Sequence, residues 1–346
     1  MQRGRVHVPC FFLLTVSQAC TFPAGQNALI AVRAPFFTSW IATWLAPFSS
    51  SLFLPVSSTA VMSRAIDKFP DPPVKRPTKI IGMGCSRTAT LGLYKALSIL
   101  GYNTLHMIVI INGDAGGKHH DPKIFYEAIE SHTNPKSGIK PYDKADFEKW
   151  WAEYDAVLEC PSYFPEAILD AYKDDPDVKF ILTERRPEGF AKSFRSSIGS
   201  FETGVRSFPL SFLKFLDARN YYLFRMGSRL WDHCAGGVPP WDDRGDANLR
   251  SFYSDYMAKV KPALPKDRTL VLNLEEGLGW EKLCEFLGDE IPDVPYPRTN
   301  DPNEFKNIVS PHIEAGLNRA MGVVAGAAAV AAGVGFWLLK SHGRFR

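Results

Sequence analysis

The sequence predicts an α/β fold, a parallel sheet with helices on both faces, and a C-terminal helix that spans a membrane. Three observations carry this. Apolar, strand-like runs open at 79–84 ("KIIGMG"), 154–159 ("YDAVLE"), 178–184 ("VKFILTE") and 268–274 ("RTLVLNL"). The first three precede helical patterns over 90–100, 163–173 and 187–198, and strands alternating with helices make a parallel sheet covered on both sides. Finally, "AMGVVAGAAAVAAGVGFWLL" (320–339) carries no charge and, at about 1.5 Å per residue, is long enough to cross a hydrocarbon core of about 30 Å.

In chain order, residues 1–66 contain no Asp, Glu or Lys, and "VPCFFLLTVSQA" follows Arg3 and Arg5. That composition fits a targeting peptide, or an unfolded extension ahead of Met62, and we set it outside the fold. "DKFPDPPVKRP" (67–77) reads as a Pro-rich linker into the first strand. In the helix after that strand Leu93, Leu97 and Leu100 recur at helical spacing and Gly101 is placed as its stop. Phe190, Phe194 and Ile198 make one face of the helix over 187–198. The stretch 205–260 has no strand pattern and many aromatics, a helical cover over one end of the sheet. Its Phe208, Phe212, Phe215 and Tyr221, with the neighbouring Phe201, suit either an apolar acceptor pocket or core. Residues 309–319 read as a linker and 340–346 as a basic tail. Trp337 fits an interfacial belt, and Gly322 with Gly326 forms a GxxxG that could pair two helices.

Composition excludes some classes. A net charge of +3 over 346 residues, with no basic run interleaved with aromatics, does not suit nucleic-acid binding. The six cysteines (10, 20, 85, 160, 234, 284) show no CxxC spacing, which fits a reduced, intracellular domain better than a disulfide framework or zinc site. His119 and His120 with Asp114 and Asp121 form the nearest approach to a metal cluster, in a Gly-rich loop where such groups are usually solvated.

Ligands of open parallel sheets lie beyond the carboxyl ends of the strands. There the loop "GCSRTATLG" (84–92) sets Ser86, Arg87, Thr88 and Thr90 at a helix N-terminus, whose free N–H groups and positive dipole attract phosphate or sulfate. Neither a Walker A loop nor a dinucleotide fingerprint fits, because Arg87 stands where each needs Gly. After the third run Arg185 and Pro187 precede Ser193, a guanidinium fork and a hydroxyl able to share one phosphate.

Strand–"SRTATL"–helix followed by Arg185-x-Pro187…Ser193 resembles the P-loop sulfotransferase-like family, most closely a sulfotransferase-domain branch often mislabelled as NAD-dependent epimerase/dehydratase. The likeness extends through "HM" (106–107), "EYDAVLECP" (153–161), "WEKLCEFLG" (280–288) and "PYPRTNDPNEF" (295–305), and so covers about 78–308. It implies a three-layer P-loop-type domain and the donor 3′-phosphoadenylyl sulfate (PAPS). Ser86, Arg87, Thr88, Ala89 and Thr90 would cradle the phosphosulfate, and Arg185 and Ser193 would hold the 3′-phosphate. Arg298 and Asn300 would close over the donor. The implied reaction moves a sulfuryl group to a hydroxyl or amine without metal. Arg87 would meet developing charge, and His106, then Glu159, would serve as base. Ser86 replaces the family's Pro, Ala89 its Gly, Gly92 its Ser or Thr, and Arg186 its Asp or Asn. A membrane-held binding protein that has lost transfer therefore stays open beside the enzyme, as does, further off, a kinase or an NAD-binding protein. The C-terminal run implies a single-pass tail anchor with the domain facing the cytosol, or a lumen if residues 1–66 include a signal peptide.

Overall fold

The computed structural model describes residues 63–113, 122–297 and 304–342. Five parallel strands, β1 (Ile80–Gly82), β2 (Thr104–Leu105), β3 (Ala156–Leu158), β4 (Lys179–Glu184) and β5 (Thr269–Asn273), lie in the order β2-β3-β1-β4-β5. All four predicted strands are present. The two-residue β2 escapes detection in the sequence because so short a strand carries no periodicity.

Alternation along the strands builds three layers. Ile80, Ala156, Leu158, Ile181 and Leu272 turn to one face, against α1 (Thr90–Ile99) and α11 (Trp280–Leu287). Their neighbours Ile81, Val157, Phe180 and Leu182 turn to the other, into a larger core. That core is supplied by α3 (Pro122–Thr133), α4 (Lys144–Trp150), α5 (Pro165–Tyr172), α6 (Pro187–Phe194), α9 (Ala218–Ala235) and α10 (Arg244–Ala263). Phe147 stacks on Trp151 at 5.0 Å and on Phe164 at 5.3 Å, so this layer is largely aromatic. The helical cover predicted over 205–260 consists of α7 (Ser200–Arg206), α8 (Leu210–Leu213), α9 and α10. From β1 the chain crosses to the edge strand β2, returns to β3 beside β1, and then passes to β4 and β5 on the other side. The loops after β1 and β4 therefore meet at the point where strand order reverses.

Two boundaries differ from the sequence reading. The fold takes in residues ahead of 78: Ile66 is core, and the buried Arg64 reaches Asp67 at 2.8 Å and Asp146 at 2.6 Å while lying over the Tyr142 ring. Residues 1–62 of the expected extension lie outside the described residues. At the other end the expected linker 309–319 is helical, part of α12 (Glu304–His342). Phe305, Ile308, Val309, Ile313, Gly316 and Ala320 form a stripe against the domain. From Met321 to Lys340 the helix is almost entirely exposed and apolar round its circumference until Lys340. An amphipathic half passing into a wholly apolar one is the pattern of a helix that leaves its domain for a lipid phase. Phe305–Ser341 is long and apolar enough to cross a membrane. The exposure changes at 320–321, where the sequence places the start of the span.

Arg64 gives a test of the revised N-terminal boundary. Arg64→Ala leaves the partly buried Asp146 carboxylate unpaired, an expected loss of about 3 kcal/mol in urea unfolding. A loss below about 0.5 kcal/mol is the value for a solvated linker residue.

Candidate active site

The loop between β1 and α1 is held by its neighbours before any ligand is considered. Thr88, fully buried, donates its hydroxyl to the Cys85 carbonyl at 2.7 Å and shares a hydrogen bond with Thr183 of β4 at 2.7 Å. Its side chain is committed inward, so of the predicted cradle Ser86, Arg87, Ala89 and Thr90 line the cavity and Thr88 does not. Tyr256 of α10 donates to the Met83 carbonyl at 2.6 Å, and one turn earlier Tyr253 accepts from the Arg185 backbone N–H at 3.1 Å. One helix thus pins both loops, a role the sequence does not announce.

Three non-glycine residues among those described have positive φ: Arg87 at 70°, Ala89 at 67° and Glu159 at 67°. All three line the same cavity. Each costs on the order of 1 kcal/mol or more, and such costs persist where surrounding structure imposes them, commonly at functional sites. Ala89 does adopt the conformation for which the resembling family uses Gly.

Arg87 and Arg185 face each other across the notch. Arg87 Nε donates to Ser193 Oγ at 3.2 Å, and Arg185 Nη1 donates to the Arg87 carbonyl at 2.7 Å. Gly189 makes room for the second contact, since a Cβ there would lie 2.9 Å from the Arg185 guanidinium. The buried Arg185 Nε has no partner. Burial holds the Arg185 pKa below its ordinary value, opposed by Glu275, and Arg87 lowers it further by like charge. An unpartnered guanidinium N–H beside a second cation is the arrangement an anion completes. Lys192 and Ser196, absent from the sequence reading, extend this wall. Ser196 comes from a wider π turn over Arg195–Gly199, which continues α6 where the sequence predicts one helix to 198.

Opposite stands a buried acid–imidazole pair. Glu159 follows β3 and His106 follows β2, and their loops meet because those strands are adjacent. His106 Nδ1 accepts the Ile108 N–H at 3.1 Å, capping α2 (Met107–Asn112). The ring proton therefore sits on Nε2, which is 2.6 Å from Glu159 Oε2 and 3.1 Å from Thr90 Oγ1. Ser86 donates to Glu159 Oε1 and lies 2.5 Å from the Tyr163 hydroxyl. Burial pushes the Glu159 pKa up, but the positive character of His106, hydrogen bonds from His106 and Ser86, and the Arg87 charge outweigh it, leaving the carboxyl below its usual value.

Both groups open on one cavity of about 610 Å³. Its far end is apolar, walled by Met107, Ile111, Phe201, Leu223, Met226 and, from the foot of α12, Phe305, Ile308 and Val309. Phe305 also lies over the Arg87 guanidinium, 5.9 Å from ring centre to Cζ. Arg298 and Asn300 lie outside the described residues, as does the 114–121 loop. Among the described residues no group of three His, Cys, Asp or Glu is placed to hold a metal. Of the five aromatics considered for an acceptor pocket, Phe201 alone lines the cavity, while Phe208, Phe212 and Phe215 are exposed.

A family described as "Sulfotransferase domain" matches residues 79–305. The chain belongs to this sulfotransferase family. Its matched span begins one residue before β1 and ends at Phe305, so it contains the whole cavity rim up to the first turn of α12. A curated relative, "Ava biosynthesis cluster protein M" of Aspergillus versicolor, is 28% identical over 229 residues, 65% of this chain and 82% of that protein. The resemblance on "SRTATL" and Arg185-x-Pro187…Ser193 is thus to the family the match identifies.

Ala89→Gly relieves the strain at φ 67° without adding an atom, and it is expected to raise unfolding free energy by about 1 kcal/mol. A thermal melt decides this; an unchanged or lower Tm means the backbone there is not strained.

Proposed function

We propose that this sulfotransferase-family protein uses PAPS to sulfate a hydroxyl or amine on an apolar small molecule, with the C-terminal half of α12 in a membrane and the domain on the cytosolic side. The observation that carries the reading is the unpartnered Arg185 Nε beside Arg87 at the N-terminus of α1, with the acid–imidazole pair on the opposite wall. The residues fit the donor. Free N–H groups in the first turn of α1, Arg87 and Thr90 suit a phosphosulfate, while Arg185, Ser193 and Lys192 suit a second phosphate. The apolar walls of the cavity suit an acceptor with a hydrocarbon body, and the relative's name, a biosynthesis cluster protein, supports a small-molecule acceptor.

Transfer then proceeds as an in-line displacement. The sulfur–oxygen bond to the donor phosphate breaks as one to the acceptor oxygen or nitrogen forms, and the acceptor proton leaves to a base. Arg87 and the helix N-terminus neutralise charge that gathers on the departing phosphate. Glu159 is the better base of the two candidates. In His106 one ring nitrogen is occupied by the Ile108 N–H and the other carries the proton given to Glu159, so no lone pair faces the cavity. His106 and Ser86 instead orient the carboxylate. This assignment reverses the order suggested by the suitability of an imidazole at neutral pH, and it puts the base where the resembling family has an acidic residue.

Two measurements test the mechanism. With radiolabelled donor and a panel of apolar alcohols, Glu159→Gln is expected to lower kcat by about 10² or more while leaving the donor KM nearly unchanged; a variant as active as the parent removes Glu159 as base. The pH profile separates the two bases independently. A carboxyl with depressed pKa is ionised above that value, so kcat should stay level through the imidazole range near pH 6.5 and fall only below the ordinary carboxylate range. An acid limb near pH 6.5 assigns the base to His106.

A further inference from the structure

Phe208, Phe212 and Phe215 are 85%, 61% and 65% exposed, although the sequence invites them into a core or pocket. Phe208 lies in the turn before α8, Phe212 in α8 and Phe215 in the turn after it, while between them Leu213 is buried and Leu210 and Leu216 are half-buried. α8 and the turn Lys214–Leu216 lie against α12. The next residue, Asp217, pairs with Arg319 at 2.5 Å, and Asn220 occupies the space that a Cβ on Gly316 would fill. The segment is therefore fastened beside residues 316–320 of α12, the level at which that helix loses its last contact with the domain at Ala320. Three exposed aromatics are thus grouped where an apolar helix leaves the protein.

We infer that Phe208, Phe212 and Phe215 form a membrane-docking surface that enters the bilayer interface around the base of α12. The occupant is a lipid bilayer because this surface is continuous with the proposed membrane span, and this inference rests on that reading. Aromatic rings partition to the interfacial zone, and one-sided apolar segments lie in its plane. A single helix leaves a domain free to tilt; a second contact beside it fixes the orientation. The cavity wall at Val309 is eleven residues from Ala320, so it is held about 16 Å from the bilayer surface along the helix axis. An amphiphilic acceptor seated in the membrane then lies near its point of use.

The test uses the full chain, with Cys10 and Cys20 changed to Ser, in phosphatidylcholine vesicles; the four other cysteines are buried. An environment-sensitive fluorophore is attached in turn to Phe212→Cys, Phe215→Cys, Leu339→Cys and Ile99→Cys. Ile99 is exposed at the C-terminal end of α1, the opposite end of the sheet from the site. The expected result is blue-shifted emission, lost in vesicles with nitroxide-labelled lipid, at 212, 215 and 339, with water-like emission at 99. Water-like emission at 212 and 215 with a lipid-like signal at 339 overturns the docking surface and keeps the anchor. Water-like emission at 339 as well overturns the anchor and the inference together.

Discussion

The structure turns on two arginines that share one partly buried notch, the Arg185 guanidinium bonded to the Arg87 backbone carbonyl and lowered in pKa by burial and by the Arg87 charge. Arg185 follows β4 and Arg87 precedes α1, and strand order brings those loops together. Glu275 acts on Arg185 and Glu159 on Arg87, yet Arg185 Nε keeps no hydrogen-bond partner and the Glu159 carboxylate is already engaged by His106 and Ser86. Keeping the arginines together takes strained backbone at Arg87 and Ala89, a bare Gly189, and two tyrosines of α10 clamping both loops. Such an arrangement is costly when empty and is relieved by a polyanion. On the proposed reading the notch is a binding site prepared in advance, with little reorganisation left for the moment of reaction.

The opposite wall is where the proposed base departs from the one that residue type alone suggests. An imidazole suits proton transfer near neutral pH, and His106 sits in the right loop. What its backbone neighbours do with its lone pair is not written in the sequence. Capping α2 occupies Nδ1 and turns His106 into a donor, which leaves the carboxylate as acceptor. Tyr163 and Ser86 extend the same hydrogen-bonded line.

Legibility in the sequence followed the physics of each signal. Apolar runs, three of them with helical patterns after them, revealed four strands, and the Ser86–Thr90 loop and Arg185…Ser193 stood out because anion binding needs particular groups at strand ends. β2 was too short for a period, α2 is a short apolar run that periodicity cannot tell from a strand, and α3 and α4 lie in a stretch of mixed polarity. The inward turn of Thr88, the π turn that presents Ser196, and the Tyr253 and Tyr256 clamps depend on contacts between distant segments. The aromatics over 208–215 were read as cover because apolar character says nothing of what a side chain faces. Here it faces away from the domain, beside the helix that leaves it.

The central claim is that the Arg87–Arg185 notch holds a nucleotide bearing two separate phosphate groups. Titrating the full chain in detergent with 3′-phosphoadenosine 5′-phosphate, in metal-chelating buffer, tests it most directly. The account predicts micromolar binding that weakens by about tenfold or more in Arg185→Ala, a charge-assisted contact being worth about 1.5–3 kcal/mol. No heat of binding from folded protein, or equal affinity in the variant, would contradict it.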